Sequence, residues 1–584
     1  MVAVSERVGW RRRTWLIIGG VVVLLIVWGA LLAAKTLSAY HHDQQGLASL
    51  DQVKADLTPD GLTSAGSVHL LDAARAEFAS AQSDLSSPLF TPITIVPVLG
   101  RQVQSVRALS SAAATVSEVG ATFLTQVHGV LDQPHTAGPD RVASLRQLST
   151  IAASARRQLA DIDTGPSQAL VAPLARKHNE FVAQLDDARQ RLTTAAGVSA
   201  TVATILQGPQ TYVVLASNNA EMRAGSGAFL EVGEATTSDG SIQLGDLSPS
   251  GARTLPVGAV PVTGDFAHNW GWLNPTLDMR NLGWTPQFTV TAPYAAAMWT
   301  ELTGQPVDGV ISLDVGGLHQ LLEATGPVQA GGQTVTADNV EQYLLHDQYA
   351  GLTDDATGDT TRQDALGSLT GAVLRQLQGQ NLDIKALASA VSSAVAGRHL
   401  MVWSKNPAAQ AAWVASGVSG SLTPRSVDVS VINLGGNKLD QYLPVHVAVT
   451  TIPTGADTTV TLTTRMDNTT PDGQSQFIAG PFPGEPVSYG GYRGLVSANL
   501  PAQASRITVT GAGPLAVKGA EGPTWVVAAP VTIPQGTSST VVIRFRMPGS
   551  HGSMTLVPSA RIPPEQWTSA GASFDDSAPT TISW

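Results

Sequence analysis

TYVVLASNNAEMRAGSGAFLEV, residues 211–232, decides how the rest of the chain is read. Its opening, Thr211–Ala216, is β-branched and apolar, the composition of a buried strand. A polar cluster, Ser217–Gly227, follows at once, and Ala228–Val232 reads as a second strand. Loops at the carboxyl ends of strands line the crevice of an α/β protein. Asn218, Asn219, Glu221 and Arg223 are therefore candidate ligand-binding residues. The cluster also admits a structural reading, in which its side chains bond one another and shape a turn.

Downstream, Val310–Asp314 is another short strand, and Val315–Thr325 reads as a helix closed by Gly326-Pro327. Thr336 is an N-cap for a helix running to Leu345, and Thr361–Gln378 and Ile384–Ala396 are two more helices. Strands alternating with helices predict a central α/β domain over 207–423. Asp278 and Arg280 form a second polar pair and join the candidate binding residues. Trp270, Trp272, Trp284 and Trp299 offer aromatic surfaces for sugar rings, with core packing the favoured reading. Asp354, Asp355 and Asp359 sit in a Thr/Gly-rich stretch whose carboxylates suit a divalent cation or solvent.

Upstream, residues 41–206 read as helical. Leu109, Ala112, Val116, Val119, Phe123, Val127 and Val130 recur every three or four positions, one apolar seam per helix. That pattern predicts an Ala-rich bundle acting as a stalk. From residue 424 to 584 short β-rich runs, such as Val427–Val431, Val445–Thr451 and Ser539–Arg546, alternate with Gly/Pro turns. They predict a β-sandwich of immunoglobulin type.

The N-terminus carries an address. Thr14–Ala34 is almost unbroken apolar sequence, long enough to span a bilayer as a helix. Arg7, Arg11, Arg12 and Arg13 precede it, so residues 1–13 are expected in the cytoplasm and the bulk of the chain outside. A cleaved signal peptide is the rival reading, although the run exceeds the roughly 7–15 residues of such an apolar region. The net charge is −11; residues 1–35 contribute +4, which leaves −15 for the remainder. An acidic exterior argues against nucleic acid as a partner. The chain has no Cys, which excludes disulfides, thiolate metal sites and a cysteine nucleophile.

The block NNAEMRAGSGAF (Asn218–Phe229) resembles the N-x-A-E-x-R-x-x-G-G-F signature of a membrane-anchored bacterial envelope family, domain of unknown function 4012. The blocks Val307–Val328, Val335–Tyr349 and Gly397–Gln410 resemble it too, with Ser226 standing where the family more often has glycine. The order of strand, helix, Gly-Pro-Val, helix and Asp359-x-x-Arg362-Gln363 is similar to the LytR–CpsA–Psr phosphotransferases, which transfer lipid-linked glycopolymers to the wall. That resemblance implies a pyrophosphate site at Arg362 and Gln363, with Asp359 as an acid for a divalent cation such as Mg²⁺. Where that family carries an arginine pair, this chain has Leu344–Tyr349.

Two functions follow as expectations. The first is an anchored protein of envelope or surface-polysaccharide assembly that binds a lipid-linked or wall glycopolymer, or scaffolds other assembly proteins. The second is a metal-dependent glycopolymer phosphotransferase.

Overall fold

The computed structural model describes residues 6–55, 65–133, 138–350, 356–377, 383–481 and 484–584, with the backbone alone at 6–26, 54–55, 65, 356–364 and 384. Its contacts divide the chain into two units. One is Met1–Pro134 with Arg146–Ser199; the other is His135–Leu145 with Ala200–Trp584.

The first unit is helical. α1 (Glu6–Ala55), α2 (Ala65–Leu85), α3 (Pro97–Leu131), α4 (Gly138–Ala160) and α5 (Ala172–Gln207) supply it, the start of α4 and the last turns of α5 falling in the second unit. The interior is built on small residues: Ala39, Ala74, Ala81, Ala112, Ala113, Ala121, Ala152 and Ala155 are all buried. Small side chains let helix axes approach closely, and Phe78, Phe90, Leu124 and Leu159 fill the remaining space. Among the described residues no helix is long and apolar enough to cross a membrane, and much of the run Thr14–Ala34 lies outside the described side chains.

The second unit opens with a mixed sheet. Its strands are β1 (Gln210–Met222), β2 (Gly227–Ser238), β3 (Ser241–Leu244), β4 (Ser248–Pro249), β5 (Gly309–Leu313) and, later in the chain, Leu400–Ser404. The order is β3-β2-β1-β5 and then Leu400–Ser404, with β4 on β2. Only β1 and β5 run parallel, from Tyr212↔Gly309 to Ala216↔Leu313. Val213, Leu215, Phe229 and Val232 pack on the helix α6 (Phe288–Thr303) through Ala292, Ala295 and Met298. Ala216 and Leu313 enter a second core with α7 (Val315–Thr325), α8 (Ala337–Leu345) and α9 (Ala356–Gln376).

One expectation needs correction here. The polar cluster was to be a loop from Ser217, yet β1 continues through Met222 and only Arg223–Ser226 turn. Polar residues persist as buried strand because Ser217, Asn218 and Asn219 all find hydrogen-bond partners inside the protein.

Beyond residue 424 two six-stranded sheets share one core. After the hairpin β6 (Val328–Ala330) and β7 (Gln333–Val335), and with β8 denoting Leu400–Ser404, these strands are β9 (Ser426–Asn433), β10 (Val445–Thr454), β11 (Asp457–Asp467), β12 (Tyr492–Pro501), β13 (Ser505–Thr510), β14 (Val517–Glu521), β15 (Thr524–Ile533), β16 (Ser538–Pro548), β17 (Ser553–Leu556), β18 (Gln566–Ser569), β19 (Ala572–Asp575) and β20 (Thr580–Ser583). The orders are β13-β16-β11-β10-β18-β19 and β14-β15-β12-β9-β17-β20. Alternate residues, Val427, Val429 and Val431 on β9 and Val541, Ile543 and Phe545 on β16, face that core. Each sheet contains one parallel pair, β9 with β17 and β10 with β18. The division expected at 423–424 falls inside the second unit, and β1 side chains reach the β-rich part there, Glu221 to Lys438 and Asn219 to the Ala560 carbonyl.

Candidate functional site

The end of β1 lies where the mixed sheet meets β9. Asn218 is fully buried; its Nδ2 donates to the Leu344 carbonyl at 2.9 Å and to the Tyr349 hydroxyl at 2.8 Å, while its Oδ1 accepts from the Ala220 N–H at 2.9 Å. Asn219 donates to Asp314 Oδ2 at 2.8 Å and to the Ala560 carbonyl at 2.7 Å, and its Oδ1 accepts from the Val315 N–H at 3.1 Å. An Asn side chain has two donors and one acceptor oxygen, so both are engaged throughout.

Asp314 gathers the surrounding groups. It caps α7 by accepting from the Gly317 N–H at 3.0 Å, and it accepts from Ser226 Oγ at 3.1 Å. Ser226 Oγ also lies 2.9 Å from Ser217 Oγ. His399 Nδ1 faces Asp314 Oδ1 at 2.9 Å. Burial pushes the imidazole down, but the Asp314 charge outweighs it and holds His399 above its ordinary 6.5.

Further along, the strand enters a cluster of charges. Glu221 Oε2 meets Lys438 Nζ at 2.9 Å. Burial opposes the Glu221 charge, but the Lys438 and Arg223 charges hold its carboxyl below the ordinary value. Arg223 lies over the Trp284 ring at 4.9 Å and donates to the carbonyls of Arg280, Met222 and Asn433 at 3.2, 3.1 and 3.1 Å. The Met222 N–H donates to Asp440 Oδ2 at 3.0 Å. Asp440 also accepts from Asn433 Nδ2 at 2.8 Å, Tyr492 Oη at 3.1 Å and Arg561 Nη1 at 3.0 Å. Ser430 Oγ donates to the Ala224 carbonyl at 2.9 Å.

Asp278 and Arg280 make a local pair. Asp278 caps a turn by accepting from the Arg280 N–H at 2.9 Å, and it accepts from Arg280 Nε at 2.8 Å. Glu221, Asp278 and Asp440 stand against Arg223, Arg280, Lys438 and Arg561, with the Glu565 carboxyl also facing Arg561. Of these side chains only Arg280 reaches solvent substantially, at 46%.

The structure thus brings together Asn218, Asn219, Glu221 and Arg223, with Arg280 beside the last two. Asp359, Arg362 and Gln363 lie outside the described side chains, as do Asp354 and Asp355. Among the described residues no grouping of His, Asp or Glu has the arrangement of a metal site. Trp270, Trp284 and Trp299 are buried, whereas Trp272 is exposed. Trp270 Nε1 donates to Glu521 Oε1 at 2.6 Å, so this ring is part of the same joint between α/β and β-rich parts. Sequence reasoning missed Lys438, Asp440 and Arg561. They lie 217 or more positions beyond Glu221, as 438 − 221 shows, and no local pattern marks them. The signal within reach was their charge inside an otherwise apolar β-rich stretch.

An α/β sheet locked to a pair of β-sheets through one buried polar segment is thus the class of structure. Residues 207–349, which hold Asn218–Phe229 and Val307–Val328, match the family described as protein of unknown function (DUF4012). The resemblance read from those two blocks is shown over that stretch. No curated protein matches the chain. The X-ray structure of Lin1025 protein from Listeria innocua is similar over 39% of this chain and 86% of that one, at 13% identity and a TM-score of 0.20. A likeness that slight bears on neither fold nor function.

Proposed function

We propose that the chain is a single-pass, membrane-anchored protein of cell-envelope or surface-polysaccharide assembly. Its α/β part, of LytR–CpsA–Psr-like fold, and its immunoglobulin-like sandwich form a rigid extracytoplasmic scaffold that binds an anionic lipid-linked or wall glycopolymer. The observation that carries this reading is Arg280, the cation of this cluster that is open to solvent, in a chain whose exterior is net acidic. A local cation within an acidic surround offers a phosphate or acidic sugar one defined point of contact. The engagement of Asn218, Asn219 and Arg223 in internal bonds supports a rigid support rather than a mobile catalytic loop.

The test uses the full chain in nanodiscs and a polyprenyl-diphosphate-linked oligosaccharide as probe. Saturable binding without turnover, weakened by roughly 1–3 kcal/mol in Arg280→Ala, is expected. Release of polyprenyl phosphate that disappears in Arg362→Ala would replace this reading with the phosphotransferase.

A further inference from the structure

Between Asp84 and Arg101 the chain has no charged residue. This segment forms the elbow between α2 and α3. It is tightly built: Pro88 and Pro92 occupy first-turn positions, Pro97 opens α3, and the Gly100 N–H donates to the Val96 carbonyl at 2.7 Å. A Cβ on Gly100 would lie 2.5 Å from the Thr94 carbonyl oxygen, so the approach needs glycine. Phe90 is the inward plug, buried with Ala39, Ala81 and Leu85 and packed against Leu32. Leu89 and Ile93 are half-buried, and the apolar side chains after them point out. Ile95 is 78% exposed, Val98 57% and Leu99 54%, with Val96 beside them. The loop before α5 adds Val171, also exposed, which is tied to α3 because its N–H donates to Gln102 Oε1 at 3.1 Å.

An apolar tip of this kind asks for a partner, and α1 says which. Trp28 Nε1 donates to the Leu89 carbonyl at 3.1 Å, and Lys35 pairs with Asp84. Trp28 stands six residues before Ala34, the end of the apolar run, about 9 Å back along a helix axis. The elbow is therefore held level with the last turns of that run, where Val27 and Leu31 are themselves half-exposed. The exposed Arg101 and the Lys35–Asp84 ion pair border it, charged groups at the depth of a lipid headgroup boundary.

We infer that the Pro88–Leu99 elbow, with Val171, inserts into the outer face of the same bilayer that α1 crosses. The bundle then has two points of attachment, and it stands on the membrane rather than swinging from one helix. This rests on the proposed anchor. Its energetic basis is burial of Ile95, Val98 and Leu99 among acyl chains, which for the exposed side chains of an interfacial segment is the driving term.

Absence of native Cys makes the test direct. Single Cys residues at Ile95, Leu99, Leu24 and Asp132 of the full chain are labelled with an NBD fluorophore and reconstituted into phosphatidylethanolamine–phosphatidylglycerol vesicles containing nitroxide lipid. Blue-shifted, quenched emission at 95, 99 and 24, with 132 water-like, is the expected result. Quenching at 24 with water-like emission at 95 and 99 would overturn the inference and leave the anchor standing. No quenching at 24 would remove the anchor, and the inference with it.

Discussion

Arg561 and Asp440, 121 residues apart in sequence, meet at 3.0 Å between Nη1 and Oδ1 with side chains 1% and 0% exposed. Asp440 in turn receives the backbone of β1 at Met222. One carboxylate therefore connects the last strands of the chain, the start of the β-rich part and the central sheet.

Removing one member of this pair should be far worse than removing both. Arg561→Ala leaves Asp440 buried without its cation, and a loss of about 3–5 kcal/mol is expected in urea unfolding. Arg561→Met combined with Asp440→Asn should recover a large part of it. A double variant no more stable than Arg561→Ala would contradict this.

Asn219 offers a test of structural against ligand role. Asn219→Ala strips partners from Asp314, Ala560 and Val315 at once, and a loss of about 1–3 kcal/mol for each unsatisfied group sets the scale. The melting temperature should fall by several degrees or more. An unchanged melting temperature with weakened glycolipid binding would instead assign Asn219 to the ligand.

The Ser226 hydroxyl donates to Asp314. Ser226→Gly should cost about 1 kcal/mol from that hydrogen bond. At the neighbouring position a Cβ would lie 2.1 Å from the Asn218 carbonyl oxygen. Gly227→Ala is accordingly expected to cost about 1–3 kcal/mol or more, and calorimetry on the two variants would rank them.

Acid–base behaviour has two opposing contributors. Burial, only partly offset by Arg398, raises the Asp428 carboxyl from 3.8 to about 7. The folded state then holds the proton more tightly, so this group's stabilisation is full below 3.8 and is lost as pH rises through about 7. Glu221 is shifted the other way, from 4.5 downwards, so its contribution is present above 4.5 and is lost as pH falls through its lower folded value. Asp428→Asn should flatten the decline in urea midpoint between pH 4 and about 7. An unaltered profile would show that Asp428 does not titrate with unfolding.

The regular elements were legible where one periodicity dominated. Val310–Asp314, Val315–Thr325 and Ile384–Ala396 fall on β5, α7 and the helix Ile384–Ala396, because apolar pattern, N-cap and terminal glycine agree there. β12 and β14 were not foreseen. β12 is buried on both faces and includes Gly494, Ser497 and Asn499, so it lacks an alternating signature. The block Asn218–Arg223 was legible as important, and its residues do lie together. Its polar character suggested a loop, since a strand of buried amides becomes acceptable only through Leu344, Tyr349, Ala560 and Asp440, all distant in sequence.

The course of β1 into the β-rich part also constrains how such a protein can be reassembled from pieces. A recombination joint placed between residues 423 and 424 would separate Glu221 from Lys438, Arg223 from Asn433 and Asn219 from Ala560 in a single cut. The central fragment would keep Asp314 for Asn219 and the Arg280 carbonyl for Arg223, but Glu221 would lose the Lys438 ammonium unless the incoming piece presented a cation at the same place. The two halves are thus coupled as heritable material, and a variant sandwich would be exchanged successfully only together with the matching end of the central strand.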